Sequence, residues 1–179
     1  MHSRLGRLLV KLLIATALVG GVTAADFGVA QWGDSLGEVR DRETLPNLTP
    51  LSASDYLIYE VTLPGIHRAR LVYEFENGRL HQGRFLFWPV DGAPASAWIN
   101  QFDQVQSLLS QQYQQPDQRQ TLSPEGINPP IPTHWAQALE ADQLILKNLW
   151  QLEGTHIVQQ LAWRDQSPHH QAIYRPVTH

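Results

Sequence analysis

The chain contains no cysteine, and only 17% of its 179 residues are charged. Without cysteine there is no disulfide, no thiolate metal site, no thiol nucleophile and no lipid-modified N-terminal Cys, so stability must come from a packed core. With 42% hydrophobic residues a core of useful size is available. The chain also lacks Gly-x-x-x-x-Gly-Lys and Gly-x-Gly-x-x-Gly, which leaves nucleotide binding without a phosphate-cradling loop. Neither His-Glu-x-x-His nor His-x-x-x-His occurs, so no helix presents two imidazoles one turn apart to a metal. No catalytic residue, cofactor or metal ligand is therefore assigned.

A long hydrophobic run is missing too. The run from Leu12 to Val22 rises only ~16 Å as a helix, against ~30 Å of bilayer hydrocarbon. Arg4, Arg7 and Lys11 precede it without any acid, and Val22-Thr23-Ala24 supplies small residues at a cleavage position. This is the pattern of a secretory signal over residues 1–24, removed to leave one exported domain over 25–179; a retained anchor is the rival reading. Loss of the leader takes away three cations and no acid, moving the formal charge from −4 to −7. A chain this acidic is a poor general binder of nucleic acid or anionic lipid, and no stable membrane insertion is expected after cleavage. The expected location is the periplasm or the exterior.

Along the exported part, Ser35 and Glu38 have capping-box spacing and predict a short helix from about Leu36 to Glu43, with Leu36 and Val39 inward and Phe27 and Trp32 packed beneath. Asn47-Leu48-Thr49 fits the glycosylation pattern in a loop. From Tyr56 the period is two: Leu57, Tyr59, Val61 and Leu63 share a face, and after Pro64-Gly65 so do Ala69, Leu71, Tyr73 and Phe75. Arg68, Arg70 and Glu74 take the opposite, wet face. Asn77-Gly78 predicts a two-residue hairpin pairing Phe75 with Leu80, Tyr73 with Gln82, Leu71 with Arg84, and Glu74 with His81. Carried on unbroken, that register turns Phe85 and Phe87 to the wet face, so a bulge is expected at Gln82-Gly83 to return them to the core.

Trp98, Ile99, Phe102, Val105, Leu108, Leu109 and Tyr113 recur at three and four, giving one clear helix with Ser96 as its cap, Pro116 as its stop and the Gln-rich side in water. Residues 117–132 read as a proline-rich loop, and Thr133 as the cap of a short helix through Trp135 and Leu139. Three strands follow: one with Leu144, Leu146, Trp150 and Leu152 on a face, one with Ile157, Leu161 and Trp163, and a last from His170 to Val177. His67, His81, His134, His156, His169, His170 and His179 scatter over turns, strand faces and the tail as surface residues; adjacent His169 and His170 point apart. The plan is α+β: two helix-plus-three-stranded antiparallel meander units, about 25–92 and 93–179, forming one two-layer sandwich.

Phe27, Trp32-Gly33-Asp34-Ser35, Glu38, Val39 and Glu43, then Tyr73, Phe75, Asn77-Gly78 and Leu80, then Tyr113 and Pro116, make the chain resemble a loose group of small exported bacterial proteins without an established activity. Where that group has Gly after the helix-ending Tyr, this chain has Gln114. In outline it is also similar to helix-plus-meander domains of envelope proteins, a likeness of fold alone. The function expected is a non-enzymatic exported binding domain. Its wet sheet face, with Arg68, Arg70, Glu74 and His81, would meet a protein, peptide or envelope component. An uncharacterised hydrolase or metalloenzyme of the cell envelope is the alternative.

Overall fold

The computed structural model describes residues 26–46, 48–49, 55–89 and 91–177. The expected leader and Asn47 of the glycosylation pattern lie outside these residues. The described chain forms α1 (Leu36–Arg42), β1 (Tyr56–Leu63), β2 (Ile66–Glu76), β3 (Arg79–Trp88), α2 (Ala95–Tyr113), β4 (Gln118–Leu122), α3 (Trp135–Glu140), β5 (Ile145–Gln151), β6 (Thr155–Arg164) and β7 (Ser167–Pro176). The strands make one open sheet in the order β1-β2-β3-β7-β6-β5-β4, with every neighbouring pair antiparallel. The class is α+β, as the change of period along the chain predicts. Two runs of consecutive hairpins meet at a seam between β3 and β7, where Gly83 pairs with Tyr174 and Phe87 with His170.

All three helices lie on one face of this sheet. Val39 of α1 joins Leu57, Tyr59, Leu71, Tyr73, Val105 and Leu109 in one apolar cluster, while Trp98 and Phe102 of α2 and Leu139 of α3 join Leu146 and Leu161 in a second. The capping box is present: Glu38 N–H donates to Ser35 Oγ at 3.3 Å and Ser35 N–H to Glu38 Oε2 at 2.8 Å. Phe27 sits at the centre of an aromatic group, with ring centroids 5.3 Å from Tyr73, 5.6 Å from Phe85 and 4.8 Å from Tyr174. The Trp32 indole N–H donates to Thr155 Oγ1 at 2.9 Å and ties this opening segment to β6.

The hairpin contains a bulge, one position earlier than the sequence predicts. Phe75 pairs with Leu80 and Glu74 with Gln82, so His81 is the extra residue and the ladder then runs unbroken through Gly83. Tyr73 accordingly faces Gly83 rather than Gln82, Leu71 faces Phe85 rather than Arg84, and Glu74 does not face His81. Phe85 and Phe87 do reach the core side, Phe87 at 3% exposure. Gly83 serves a different need: a Cβ there would overlap the Phe27 ring, so glycine is the floor on which that ring lies.

Between α2 and the sheet lies a neutral polar network. His170 Nδ1 is 3.0 Å from Gln101 Oε1, and His170 Nε2 is 3.2 Å from Gln159 Nε2. The amide oxygen of Gln101 can only accept, so Nδ1 carries the proton and Nε2 accepts from Gln159. Gln159 Nε2 also donates to the Phe102 carbonyl at 2.7 Å. Asn148 Nδ2 donates to Gln159 Oε1 at 3.0 Å and to Gln106 Oε1 at 3.1 Å. Gln101 and His170 are thus core residues, not the surface residues that their polarity suggests, because each has an exact partner across the helix–sheet contact.

Other expectations are corrected at element ends. Pro94, not Ser96, holds the N-cap of α2. Pro132–His134 is a 3-10 turn, so Thr133 lies inside it and His134 precedes α3. Part of the expected loop is β4, an edge strand whose residues pair with β5 on one side only; Gln118-Arg119-Gln120-Thr121 has no apolar alternation to announce it. The last strand starts at Ser167, three residues before His170, because Asp165 and Gln166 both accept φ values near those of a two-residue turn, 50° and 60°. Gln114 has φ 68°, a conformation that favours glycine, and its carbonyl accepts from the Trp150 indole at 3.0 Å.

Gly83→Ala is expected to lower stability by about 2–3 kcal/mol because the Phe27 ring must move, whereas Gly78→Ala, in a turn at φ 73° with no atom near, costs about 1 kcal/mol. Urea midpoints of the two variants test the order. Burial pushes the His170 pKa from 6.5 down to about 3. The unfolded chain takes up a proton below about 6.5 while the native state does not, so the contribution is full above that pH and is lost as pH falls toward 3. Wild type should lose about 1.4 kcal/mol per pH unit in this window beyond the loss seen in His170→Gln, whose amide still donates and accepts.

Candidate functional site: the open face of the sheet

The face turned away from the helices carries the even positions of β2 and everything in register with them. Cross-strand partners arrange these side chains in rows that run across the strands. One row reads Tyr56, Glu74, Gln82, then Arg175, His156 and Gln151. The next is Ile58, Val72, Arg84, Ile173, Val158 and Leu149, an apolar stripe interrupted by one guanidinium. A third is Glu60, Arg70, Leu86, Gln171, Gln160, Lys147 and Gln120. Beyond it lie Arg68 with Trp88 and, further along, His169, Ala162, Ile145 and Leu122. Polar and apolar rows therefore alternate, and long polar side chains leave the aliphatic ones half-buried.

The face is wet but not uniformly so. Glu74, expected in water, is only 5% exposed. Its Oε1 accepts from Arg84 and its Oε2 from Gln82 Nε2 at 2.7 Å; Gln82 Oε1 in turn accepts from Arg175 Nε at 2.6 Å. Both Glu74 oxygens are thus occupied, one by Arg84 and one by Gln82, which links the carboxylate to Arg175. Arg84 Nε is buried without a hydrogen-bond partner, and burial pulls the Arg84 pKa down, with the Arg175 charge adding to the shift. This arrangement fixes charge in place and offers no unoccupied carboxylate oxygen for proton transfer at Glu74.

Arg68 and Arg70 lie in neighbouring positions on the same face. Arg68 pairs with Asp91 at 2.9 Å, and Arg70 with Glu60 at 3.5 Å while its guanidinium stands 5.2 Å over the Trp88 ring. Glu60, Thr62, Arg68, Arg70 and Trp88 line a cleft of about 280 Å³ where the β1–β2 register shifts between Val61 and Leu63. The structure therefore brings Arg68 and Arg70 together and puts Glu74 further along the same strand face. His81 is set apart in the bulge, half-buried. The sequence did not assign Gln82, Arg84, Trp88, Lys147, Arg164 and Arg175 to the site, and the phase of Trp88 suggests the core. Their shared face depends on the bulge position and on the β3–β7 seam, neither of which local periodicity encodes.

Two catalytic possibilities can be measured directly. Gly33-Asp34-Ser35-Leu36-Gly37 has the Gly-x-Ser-x-Gly spacing of a nucleophile elbow, contrary to the expectation that the chain holds no such motif. Here Ser35 has unstrained extended torsions, φ −75° and ψ 158°, and its hydroxyl donates to Glu38 Oε2 at 2.8 Å as the cap of α1, with no imidazole hydrogen-bonded to it among the described residues. It is a helix cap, not an activated nucleophile. Among the described residues, no three of His, Cys, Asp and Glu converge as metal ligands would. No protein-family model, curated protein or solved structure matches the chain.

Removing the carboxylate alone, as in Glu74→Ala, should destabilise the protein by about 2–3 kcal/mol, since it leaves Arg84 and Arg175 confronting each other across a half-buried site. Adding Arg84→Met should recover part of the loss. Urea unfolding of the two single variants and the double variant gives the coupling energy.

Proposed function

We propose that the protein is an exported binding domain, periplasmic or secreted, that recognises a partner protein or peptide on the open face of its sheet. The observation that carries this reading is the asymmetry of the two faces: one is closed by three helices over a satisfied neutral network, and the other is a seven-stranded surface of alternating apolar and charged rows with no covering layer among the described residues. Half-buried aliphatic side chains framed by guanidiniums and a tryptophan are the components of a recognition surface, where apolar contact supplies affinity and charge supplies selectivity. The same reading takes residues 1–24 as a leader and the two runs of hairpins as related helix-plus-meander halves. It also assigns Arg68, Arg70 and Trp88 to the edge of the contact area.

The test is capture of partners from an envelope extract by the tagged chain, compared with two surface variants. Leu149→Asp places a charge in the apolar stripe; Gln104→Arg alters the exposed side of α2. Recovery of a partner should be lost with Leu149→Asp and kept with Gln104→Arg, with both variants retaining the wild-type circular dichroism. Equal recovery by all three proteins, or turnover in a hydrolase screen without any partner, would reject the reading.

A further inference from the structure

The cations of the open face fall into two groups. On the β1–β2–β3 side three guanidiniums have carboxylates, Arg68 with Asp91, Arg70 with Glu60 and Arg84 with Glu74, while Arg79 at the hairpin end donates to the Gly33 carbonyl. On the β5–β6–β7 side Lys147, Arg164 and Arg175 have none among the described residues, and the open-face positions of these three strands carry no acid at all. Glu153 and Asp165 lie in the turns at the strand ends. His156 and His169 are exposed on the same half. This uncompensated positive area belongs to a chain whose formal charge beyond residue 24 is −7, so it is not the by-product of a basic composition.

We propose that this half of the face takes an extended segment of another protein whose sheet-facing side chains alternate between carboxylate and aliphatic. The proposal rests on reading the open face as the recognition surface and adds the chemistry of the ligand. Along β6 and its neighbours the rows succeed one another as Arg175 with His156, then Ile173, Val158 and Leu149, then Lys147 between glutamines, then Ala162 with Ile145, and finally Arg164. Rows on a strand recur every two residues, ~6.6–6.8 Å, which is also the repeat of side chains on one side of an extended ligand. A segment of about nine residues laid along the strands places an acid over each cationic row and an aliphatic side chain over each apolar row. A basic segment would meet the same rows with like charge. A uniformly acidic one would leave the aliphatic rows facing carboxylates.

Fluorescence anisotropy of labelled peptides with the full chain tests this. A nine-residue peptide Glu-Ser-Val-Ser-Glu-Ser-Val-Ser-Glu, which turns Glu, Val, Glu, Val and Glu to one side, should bind at least ~10-fold more tightly than its counterpart with Lys for Glu, and more tightly than one with Ser for Val. Lys147→Glu with Arg164→Glu, neither of which has a hydrogen-bond partner to lose among the described side chains, should weaken the first peptide at least ~10-fold while the thermal melt stays unchanged. Indifference to the sign of the peptide, or to this double reversal, overturns the proposal. If no peptide binds but partner capture still depends on Leu149, the ligand chemistry is wrong and the surface stands. If capture is also indifferent to Leu149→Asp, both fall.

Discussion

One extra residue in a hairpin sets the phase of the whole molecule. His81 has no partner on β2, and from Gln82 onward every side chain of β3 is therefore turned to the face opposite to the one an uninterrupted ladder would give it. Phe85 and Phe87 reach the aromatic group around Phe27, while Arg84, Leu86 and Trp88 reach the open face. Since β3 is also the strand that accepts β7, its phase is transmitted through Phe85–Ala172 and Phe87–His170 into the second half of the sheet. Without that one-residue offset, two large rings would face water and an arginine would enter the core.

The two faces solve the problem of buried polarity in different ways. Between α2 and the sheet the polar groups are amides and a neutral imidazole that hydrogen-bond one another and hold the helix in register on the sheet. On the open side the polar groups include ions, and buried Glu74 is satisfied by the Arg84 guanidinium and by Gln82, which in turn accepts from Arg175. Adjacent His169 and His170 show the division at its sharpest: strand alternation alone gives one imidazole to solvent and locks the other among glutamines.

Much of the core was legible in the sequence, because burial follows periods that a strand or helix imposes on its own residues. Leu57, Tyr59, Leu71, Tyr73, Trp98, Phe102, Val105 and Trp150 are all buried where their phase places them. The capping box and the Asn77-Gly78 turn were legible for the same reason: each is complete within four residues. What local pattern does not carry is pairing between distant segments. β4 becomes a strand only because β5 offers it an edge. Gln101 goes inward only because His170 is waiting across the contact. The site was half visible: Arg68, Arg70 and Glu74 share a strand face as their spacing requires, but Arg84 and Arg175 join Glu74 through the bulge and the seam. Gly83 reads locally as part of a bulge, but the ladder runs through it unbroken and the Phe27 ring lying against it accounts for the glycine.

The seam has a further consequence, for the order of events in folding. The hairpins on either side of it close through turns of two or three residues, a microsecond-scale process, whereas β3 and β7 join positions roughly eighty to ninety residues apart. Each run of hairpins alone exposes the edge that the other is meant to cover. The largest loop-closure cost in the sheet therefore falls on this seam, and while it is open β3 and β7 each present an unpaired edge of 10 residues.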